Sequence, residues 1–259
     1  MITHKISVVI PTTGRDSLKQ ALESCISQSY ADFEILIIDD SFLQNIVIFN
    51  PRVKVLYTGG SKGVSEARNL GIQNATGVYI AFLDDDDIWF RDKLFRQLEF
   101  MVMEGLDASY TKARMVPGGR IRPKNVLPKG RSPIGYLYDF SQKWTNDSYL
   151  GLSTLIVKKS CISTEFNVEE NNREDLIFIN EIFKNGGRIA QLNEVLCDIY
   201  ISPERSIGRA SLRQDLIWCK YIYSHSIFSA INFLFFVSFR NSLWKTIHHL
   251  KMFIRKSFQ

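Results

Sequence analysis

The four consecutive acids Asp84–Asp87 are the residues of this sequence most able to do chemistry. They follow an apolar run, Val78–Leu83, whose β-branched and aromatic residues are typical of a short buried strand. Adjacent carboxylates repel one another unless a cation neutralises them, and Mg²⁺ and Mn²⁺ prefer oxygen ligands of this kind. We therefore predict a divalent cation here, bridging to a phosphorylated ligand. The alternative is a solvated turn in which Asp87 or its neighbour caps the helix that begins near Phe90.

Other polar residues follow neighbouring predicted strands. Asp39 and Asp40 come directly after the apolar strand Phe33–Ile38, and Thr12 comes after the strand Lys5–Pro11. Apolar strands alternating with helices predict an α/β fold, in which a mostly parallel sheet is flanked by helices. The carboxyl ends of such strands meet along one edge, where a nucleotide could lie. The alternative for both aspartates is local turn chemistry, because Asp readily bonds its own following backbone.

A glycine-containing stretch and a helix follow the strand Val53–Tyr57. The glycines fall at positions 59, 60 and 63, and Arg68 lies in the predicted helix Val64–Asn74. These glycines match neither the G-x-G-x-x-G pattern nor the G-x-x-x-x-G-K-[ST] pattern, which excludes a dinucleotide-binding dehydrogenase and a P-loop NTPase. Arg68 is either an anion-binding residue or an ordinary exposed helix arginine.

Length and composition are those of a globular protein, with 259 residues of which 45% are hydrophobic. The four cysteines are far apart and suggest neither a zinc site nor a disulfide framework. No charged and then apolar leader precedes the first strand, so we expect a cytoplasmic protein. The net charge of +5 hides an asymmetry, because Arg205–Gln259 contains nine Lys or Arg and one acid. This basic segment predicts contact with an anionic surface, either phospholipid or nucleic acid.

Four blocks in order along the chain resemble the signatures of the family 2 glycosyltransferases. They are Ser7–Thr12, Gln28–Ser41, Lys62–Ile72 and Ala75–Asp87. The resemblance implies the A-type glycosyltransferase fold, with the sheet of nucleotide-diphospho-sugar transferases. It also implies an inverting transfer from a nucleotide sugar and dependence on Mn²⁺ or Mg²⁺. The solvated-turn interpretation of the acidic run is correspondingly less favoured.

The resemblance assigns roles at the donor site. It implies that the donor is bound by Thr12, Asp39, Arg68, Asp84 and Asp85. Asp39 would receive the base, with Thr12 nearby, and Arg68 would hold the base or the diphosphate. Asp84 and Asp86 occupy the outer positions of the family's D-x-D pattern. Asp84 or Asp85 would accept from a ribose hydroxyl, and Asp86 would ligate the metal between the phosphates.

The acceptor side is predicted from the second half of the chain. Glu174 and Asp175 begin a predicted helix and match the acidic base motif of the family, so Asp175 is expected to be the general base. The alternative is that both acids merely favour the amino end of the helix electrostatically. Many relatives have a histidine after the final strand, whereas this chain has Cys197–Ser206 without one. Whether Arg205 or Ser206 replaces it is left open.

Three further elements follow from local patterns. Trp89–Glu104 is predicted to be a helix because its apolar residues recur at helical spacing. Proline, glycine and basic residues crowd between Val116 and Pro133 without periodicity, which predicts a loop, either an ordinary insertion or a flap over the donor. Gly151–Val157 resembles the strand that lines the acceptor side in this family.

We predict a catalytic domain over residues 1–204 and a helical, amphipathic, basic tail over 205–259. In the tail, Leu243, Ile247, Leu250 and Ile254 recur at helical spacing with basic residues on other faces. Such a helix lies in the headgroup region of an anionic membrane, and the apolar run before it is too short to span a bilayer. We expect a peripheral protein on the inner face of the cell membrane. The alternative is that the tail packs on the catalytic domain or forms a dimer.

The predicted function is an inverting transfer of a hexose of the glucose or galactose type. The donor would be a UDP-sugar, and the acceptor a hydroxyl of a lipid-diphosphate-linked saccharide in bacterial O-antigen or capsule assembly. The alternative is a non-catalytic homologue that binds sugar nucleotide or membrane. A nucleotide-sugar pyrophosphorylase would need a glycine-rich basic loop after the first strand, and Pro11–Arg15 is not that loop. No nucleic-acid partner is expected, because the basic residues of the tail are interleaved with large aliphatic residues.

Overall fold

The structure is a computed structural model, and it describes residues 4–44, 46–137, 148–166 and 174–201. Residues 1–136 and 147–206 form one compact unit, and residues 137–146 and 207–259 form another. Apart from Leu137, the described residues belong to the first unit. The predicted tail at 205–259 and the pair Arg205 and Ser206 lie outside the described residues. Among the helices that are described, none is long and apolar enough to cross a membrane.

The first half of the sheet is parallel and carries the predicted donor residues. β1 runs parallel to both β2 and β4, and β2 runs parallel to β3. Thr12 at the end of β1 lies opposite Asp39 at the end of β2, so both residues reach the same edge of the sheet. The elements are β1 (Ile6–Thr12), α1 (Leu18–Ile26), β2 (Phe33–Asp39), β3 (Val53–Tyr57), α2 (Val64–Asn74) and β4 (Tyr79–Phe82).

The second half of the described sheet mixes parallel and antiparallel pairs. Across the sheet the order is β3-β2-β1-β4-β8-β6-β9-β5, with β7 paired to β6. β8 is antiparallel to β4 and β6, whereas β6 is parallel to β9. The elements are β5 (Ile88–Trp89), α3 (Lys93–Glu104), β6 (Ala108–Val116), β7 (Arg120–Arg122), α4 (Pro133–Leu137), β8 (Ile156–Lys158), α5 (Glu174–Lys184) and β9 (Ile189–Tyr200). The predicted α/β sheet flanked by helices is confirmed.

Close packing fixes helix α2 over the sheet. Every residue of β1 is buried, as expected for a strand covered on both faces. A β-carbon on Gly71 of α2 would overlap the Cγ1 methyl of Val9 on β1, so only glycine allows this approach. The helix is thereby held against the strand that leads to Thr12. Its buried Arg68 is carried to the edge where the donor residues lie.

Three local predictions need correction. Ile88–Trp89 form a short strand, β5, because they pair with Cys197 and Asp198 of β9, and the helix begins only at Lys93. The loop expected after Val116 contains strand β7, which forms a hairpin with β6 through glycines 118 and 119, both with positive φ. The strand expected over 151–157 is a 3₁₀ turn, Leu152–Thr154, followed by β8. Long-range pairing overrode the local helical pattern at Ile88–Trp89, whereas β7 arises from a local hairpin.

Candidate active site

Asp39 is fully buried at the end of β2. Its Oδ1 accepts a hydrogen bond from the backbone N–H of Ser41 at 2.8 Å, which is the local turn bond that an aspartate at this position can form. Its Oδ2 has no hydrogen-bond partner among the described residues. A buried carboxylate oxygen without a donor is uncommon in folded proteins, where almost all such atoms are paired. Asp39 therefore has an acceptor available for a ligand N–H.

Asp40, the next residue, organises the loop between β3 and α2. Its carboxylate accepts the backbone N–H groups of Lys62 and Gly63 at 2.8 and 2.9 Å and the hydroxyl of Thr58. Gly63 has a φ of 95°, a conformation that favours glycine, and it directly precedes α2. Asp40 is thus a structural residue that closes the glycine-containing stretch.

A cavity of about 290 Å³ lies beside these residues, at the carboxyl edge of the parallel strands. Its lining comes from the ends of β1 and β2 and the first turns of α2, which is where an open α/β sheet binds ligands. The lining residues are Pro11, Thr12, Thr13, Arg15, Asp40, Val64 and Ala67.

Asp85 is buried and is engaged on both oxygens by the turn after β1. The hydroxyl of Thr12 donates to its Oδ2 at 2.6 Å, and Arg15 binds it in a fork through Nε and Nη2. Burial raises the pKa of Asp85, although the hydrogen bonds from Thr12 and Arg15 act in the opposite direction. Arg15 also donates to Asp86 Oδ2 at 3.1 Å. The structure thus places Arg15, which the sequence did not indicate as a site residue, against the acidic run.

The other three acids of the run form a potential cation site. Asp84, Asp86 and Asp87 each offer one carboxylate oxygen, and these oxygens all lie within 4.8 Å of one another. Asp87 is oriented by the hydroxyl of Ser153 at 2.5 Å and the backbone N–H of Tyr200 at 3.0 Å. Burial, together with the charge of Asp84, raises the pKa of Asp87. A cluster of carboxylate oxygens suits Mg²⁺ or Mn²⁺, so these residues fit the predicted metal.

Arg68 joins the acidic run to helix α5. Its side chain is 6% exposed, and it binds Asp84 at 3.0 Å through Nη2 and Glu174 at 3.1 Å through Nη1. The guanidinium also lies 5.5 Å from the centroid of the Phe166 ring. Burial alone would lower the pKa of Arg68, but the charges of Asp84 and Glu174 raise it. The alternative of an exposed helix arginine is therefore wrong.

Asp175 lies in the first turn of α5, next to the acid that Arg68 binds. Its Oδ1 accepts the backbone N–H of Leu176 at 2.8 Å. Burial and the adjacent charge of Glu174 raise the pKa of Asp175 to about 6, although Arg68 opposes the shift. A carboxylate with this pKa is suited to accept a proton near neutral pH. The role of Asp175 as general base stays a prediction.

The structure brings most of the predicted residues into two linked groups. Thr12 contacts Asp85, and Arg68 connects Asp84 to the start of α5, where Asp175 lies. Asp39 is placed beside Thr12 by strand register, without a direct contact to the acidic run. Sequence reasoning missed the contacts of Arg15 and Ser153 with the acids. No local pattern signals either contact, because 66–71 residues separate the partners.

The parallel half-sheet with an acidic edge is the arrangement expected of a glycosyltransferase with the A-type fold. Comparison with known proteins agrees with this class. A model of the family described as "Glycosyl transferase family 2" matches residues 7–159. The chain therefore belongs to glycosyltransferase family 2, which confirms the resemblance found in the sequence blocks.

Two of the similar proteins are named as glycosyltransferases. Identity is 29% with TuaG of Bacillus subtilis (strain 168), a glycosyltransferase named for teichuronic acid biosynthesis, over 74% of this chain and 77% of that protein. Identity is 25% with WfgD of Escherichia coli, named a UDP-Glc:alpha-D-GlcNAc-diphosphoundecaprenol beta-1,3-glucosyltransferase, over 83% of each chain. The crystal structure of S. aureus TarS 1-349 in complex with UDP-GlcNAc matches with a TM-score of 0.67 and 20% identity, covering 83% of this chain and 64% of that one. The TarS match supports the A-type fold.

Proposed function

We propose that this protein is an inverting hexosyltransferase. It would move a sugar of the glucose or galactose type from a UDP-sugar to a hydroxyl of a lipid-diphosphate-linked saccharide, in bacterial O-antigen or capsule assembly. The observation that carries the proposal is the arrangement at one edge of the sheet. There Asp39 Oδ2, which has no hydrogen-bond partner in the described part of the chain, lies at the end of β2, and the carboxylates of Asp84, Asp86 and Asp87 follow β4. A base acceptor after β2 and a cation cluster after β4, on the two strands that flank β1, suit a nucleoside diphosphate.

The choice of a uridine nucleotide rests on Asp39 and on the relatives. A carboxylate oxygen accepts hydrogen bonds only, and uracil presents a ring N–H that can donate to it. The TarS structure was solved with UDP-GlcNAc, and WfgD is named for UDP-Glc. These relatives support a UDP-hexose donor for the present chain.

In the proposed reaction the acceptor hydroxyl attacks the anomeric carbon from the face opposite the nucleotide. The new bond joins the acceptor oxygen to the anomeric carbon, and the bond from that carbon to the diphosphate oxygen breaks. Asp175 takes the hydroxyl proton, because a neutral sugar hydroxyl is a poor nucleophile. One displacement inverts the configuration, so a donor with an α-linked sugar gives a β-linked product.

Charge develops on the leaving UDP as this bond breaks. Asp84, Asp86 and Asp87 would hold a Mg²⁺ or Mn²⁺ ion, which as a Lewis acid stabilises such charge. Arg68 is held by Asp84 and Glu174, so it fixes the acids of the donor side relative to the start of α5. In this mechanism Arg68 positions the acidic groups, and Asp175 accepts the proton of the acceptor hydroxyl.

The acceptor and the membrane location rest on the relatives and on the sequence of the tail. WfgD is named for a GlcNAc-diphosphoundecaprenol acceptor, and this chain aligns with 83% of that protein. Nine basic residues over 205–259 would attract the chain to anionic phospholipid. We accordingly propose a peripheral location on the inner face of the cell membrane.

The test is release of UDP from a panel of nucleotide sugars, with a bacterial lipid extract as acceptor. Release should occur with one or a few UDP-hexoses, require Mn²⁺ or Mg²⁺ and stop on addition of EDTA. Asp175→Asn should slow this release by roughly 10²- to 10⁴-fold. The matched control is Asp32→Asn, which changes an exposed aspartate before the opposite end of β2. UDP binding without release from any donor, in extracts from several bacteria, would favour the non-catalytic alternative.

A further inference from the structure

Arg15 occupies a position between the acidic run and the cavity. It follows Gly14, whose φ of 83° turns the chain away from β1, and the backbone N–H of Gly14 donates to Thr12 Oγ1 at 3.0 Å. The guanidinium makes a bidentate contact with Asp85 through Nε and Nη2, and its Nη1 donates to Asp86 Oδ2 at 3.1 Å. The same side chain lines the cavity of about 290 Å³. Arg15 therefore lies between this cavity, where we place the nucleotide, and the acidic run that we propose binds the metal.

The contacts of Arg15 differ in how firmly they are held. Asp85 is 1% exposed and also accepts the hydroxyl of Thr12, so this end of the guanidinium is anchored. Asp86 is 15% exposed, and the Arg15 side chain itself is 42% exposed. Arg15 can therefore replace its hydrogen bond to Asp86 by one to another partner with little rearrangement of the fold.

The contact with Asp86 also conflicts with a bound cation. Asp86 is one of the three residues whose oxygens lie within 4.8 Å of one another, and the guanidinium is a permanent positive charge on one of its oxygens. A divalent ion at the cluster would be repelled by it. A diphosphate brought in with the ion would supply oxygens that suit the guanidinium fork.

We propose that Arg15 is a donor-binding residue that neutralises Asp86 in the free protein and turns to the donor diphosphate when metal and nucleotide bind. Its Nε and Nη2 stay on Asp85, and Nη1 exchanges the Asp86 oxygen for a phosphate oxygen. Arg15 thus weakens binding of the metal alone and strengthens binding of the metal with its nucleotide. This inference rests on the proposed UDP-sugar donor.

The test compares Arg15→Gln with the native full-length chain in two binding measurements. Mn²⁺ binding without nucleotide is measured from the electron paramagnetic resonance signal of free Mn²⁺. UDP binding is measured by calorimetry at saturating Mn²⁺. Arg15→Gln should bind Mn²⁺ alone roughly three- to tenfold more tightly, because a competing positive charge is gone. It should bind UDP with Mn²⁺ about tenfold or more weakly, because a charge-assisted contact is lost.

Two control variants separate this role from a structural one. Lys19→Gln removes an exposed positive charge on α1 and should change neither affinity. Arg15→Lys keeps the positive charge but cannot make the bidentate contact. Its Mn²⁺ affinity should therefore stay near native, and its UDP affinity should lie between those of the native chain and Arg15→Gln. Loss of both affinities in Arg15→Gln, with both restored in Arg15→Lys, would show that Arg15 only supports Asp85 and would overturn the inference. So would an unchanged UDP affinity in Arg15→Gln.

The two measurements also separate this inference from the proposed function. A native chain that binds Mn²⁺ but no uridine nucleotide would contradict the UDP-sugar donor. The Mn²⁺ measurement on Arg15→Gln would then still report whether Arg15 competes with the cation. An Mn²⁺ affinity unchanged by the substitution would refute that part of the inference by itself.

Discussion

Replacing Asp39 by Asn should weaken binding of UDP without lowering the free energy of unfolding. In the structure Asp39 Oδ1 is bound by the N–H of Ser41, and Oδ2 is buried without a partner among the described residues. A uracil N–H on Oδ2 would make a hydrogen bond to a charged group, which contributes about 1.5–3 kcal/mol. Its loss corresponds to roughly 10- to 150-fold weaker binding of UDP. In addition, the side-chain N–H₂ of Asn would face the ring N–H of uracil, and two hydrogen-bond donors cannot pair.

The same substitution should leave the fold intact. A buried carboxylate oxygen without a partner costs free energy, and a neutral amide costs less in the same place. The free energy of unfolding of Asp39→Asn should therefore be no lower than native and up to about 1 kcal/mol higher. Urea unfolding measures this quantity, and calorimetry with UDP and Mn²⁺ measures the affinity. The two quantities are expected to move in opposite directions.

Discrimination between nucleotides gives a sharper readout. Cytosine has an acceptor where uracil has its ring N–H, so the Asn amide can donate to it. Asp39→Asn should therefore narrow the preference for UDP over CDP. Asp32→Asn, an exposed change before the other end of the same strand, should leave both affinities unchanged. A UDP affinity within threefold of native in Asp39→Asn would refute the assignment of Asp39 to the base.

Three further predictions concern the base, its titration and the packing of the sheet. Asp175→Asn should lower kcat by roughly 10²- to 10⁴-fold while UDP affinity stays within about threefold of native, because a general base acts on the acceptor proton. Since burial and Glu174 raise the pKa of Asp175 to about 6, kcat/KM should fall as the pH drops below that value and the base becomes protonated. Gly77→Ala should lower the free energy of unfolding in urea by about 1–3 kcal/mol. The added β-carbon would lie 2.6 Å from the amide nitrogen of Ser7 and 2.7 Å from the carbonyl oxygen of Lys5.

These three predictions can each fail in a distinct way. Residual turnover above a tenth of native in Asp175→Asn would show that another group is the general base. A kcat/KM that stays constant from pH 5 to pH 8 would show that Asp175 does not titrate in the free enzyme. For Gly77 the control is Gly135→Ala in α4, where, among the described residues, an added β-carbon would meet Ser132 at an ordinary 3.6 Å. Equal stability losses at the two glycines would contradict the packing argument.

Much of the donor edge can be predicted from the sequence alone. Asp39 and Asp84 each follow a run of apolar residues, and parallel strands end at one edge of a sheet. The elements β3 and α2 were predicted with the bounds that the structure gives them. Ile88–Trp89 could not be predicted as a strand, because their pairing partners in β9 lie more than 100 residues further along the chain.

The sequence by itself determined the family, the α/β fold and the identity of the acids, because strand patterns and family signatures are local features of the chain. Only the tertiary structure decided how those acids are partnered. Arg68 is bound to Glu174 across 106 residues, and Arg15 reaches Asp86 across 71. Burial at these contacts sets the charge balance around the acidic run and raises the pKa of Asp175. Burial and distance between remote residues depend on packing, which no short stretch of sequence encodes.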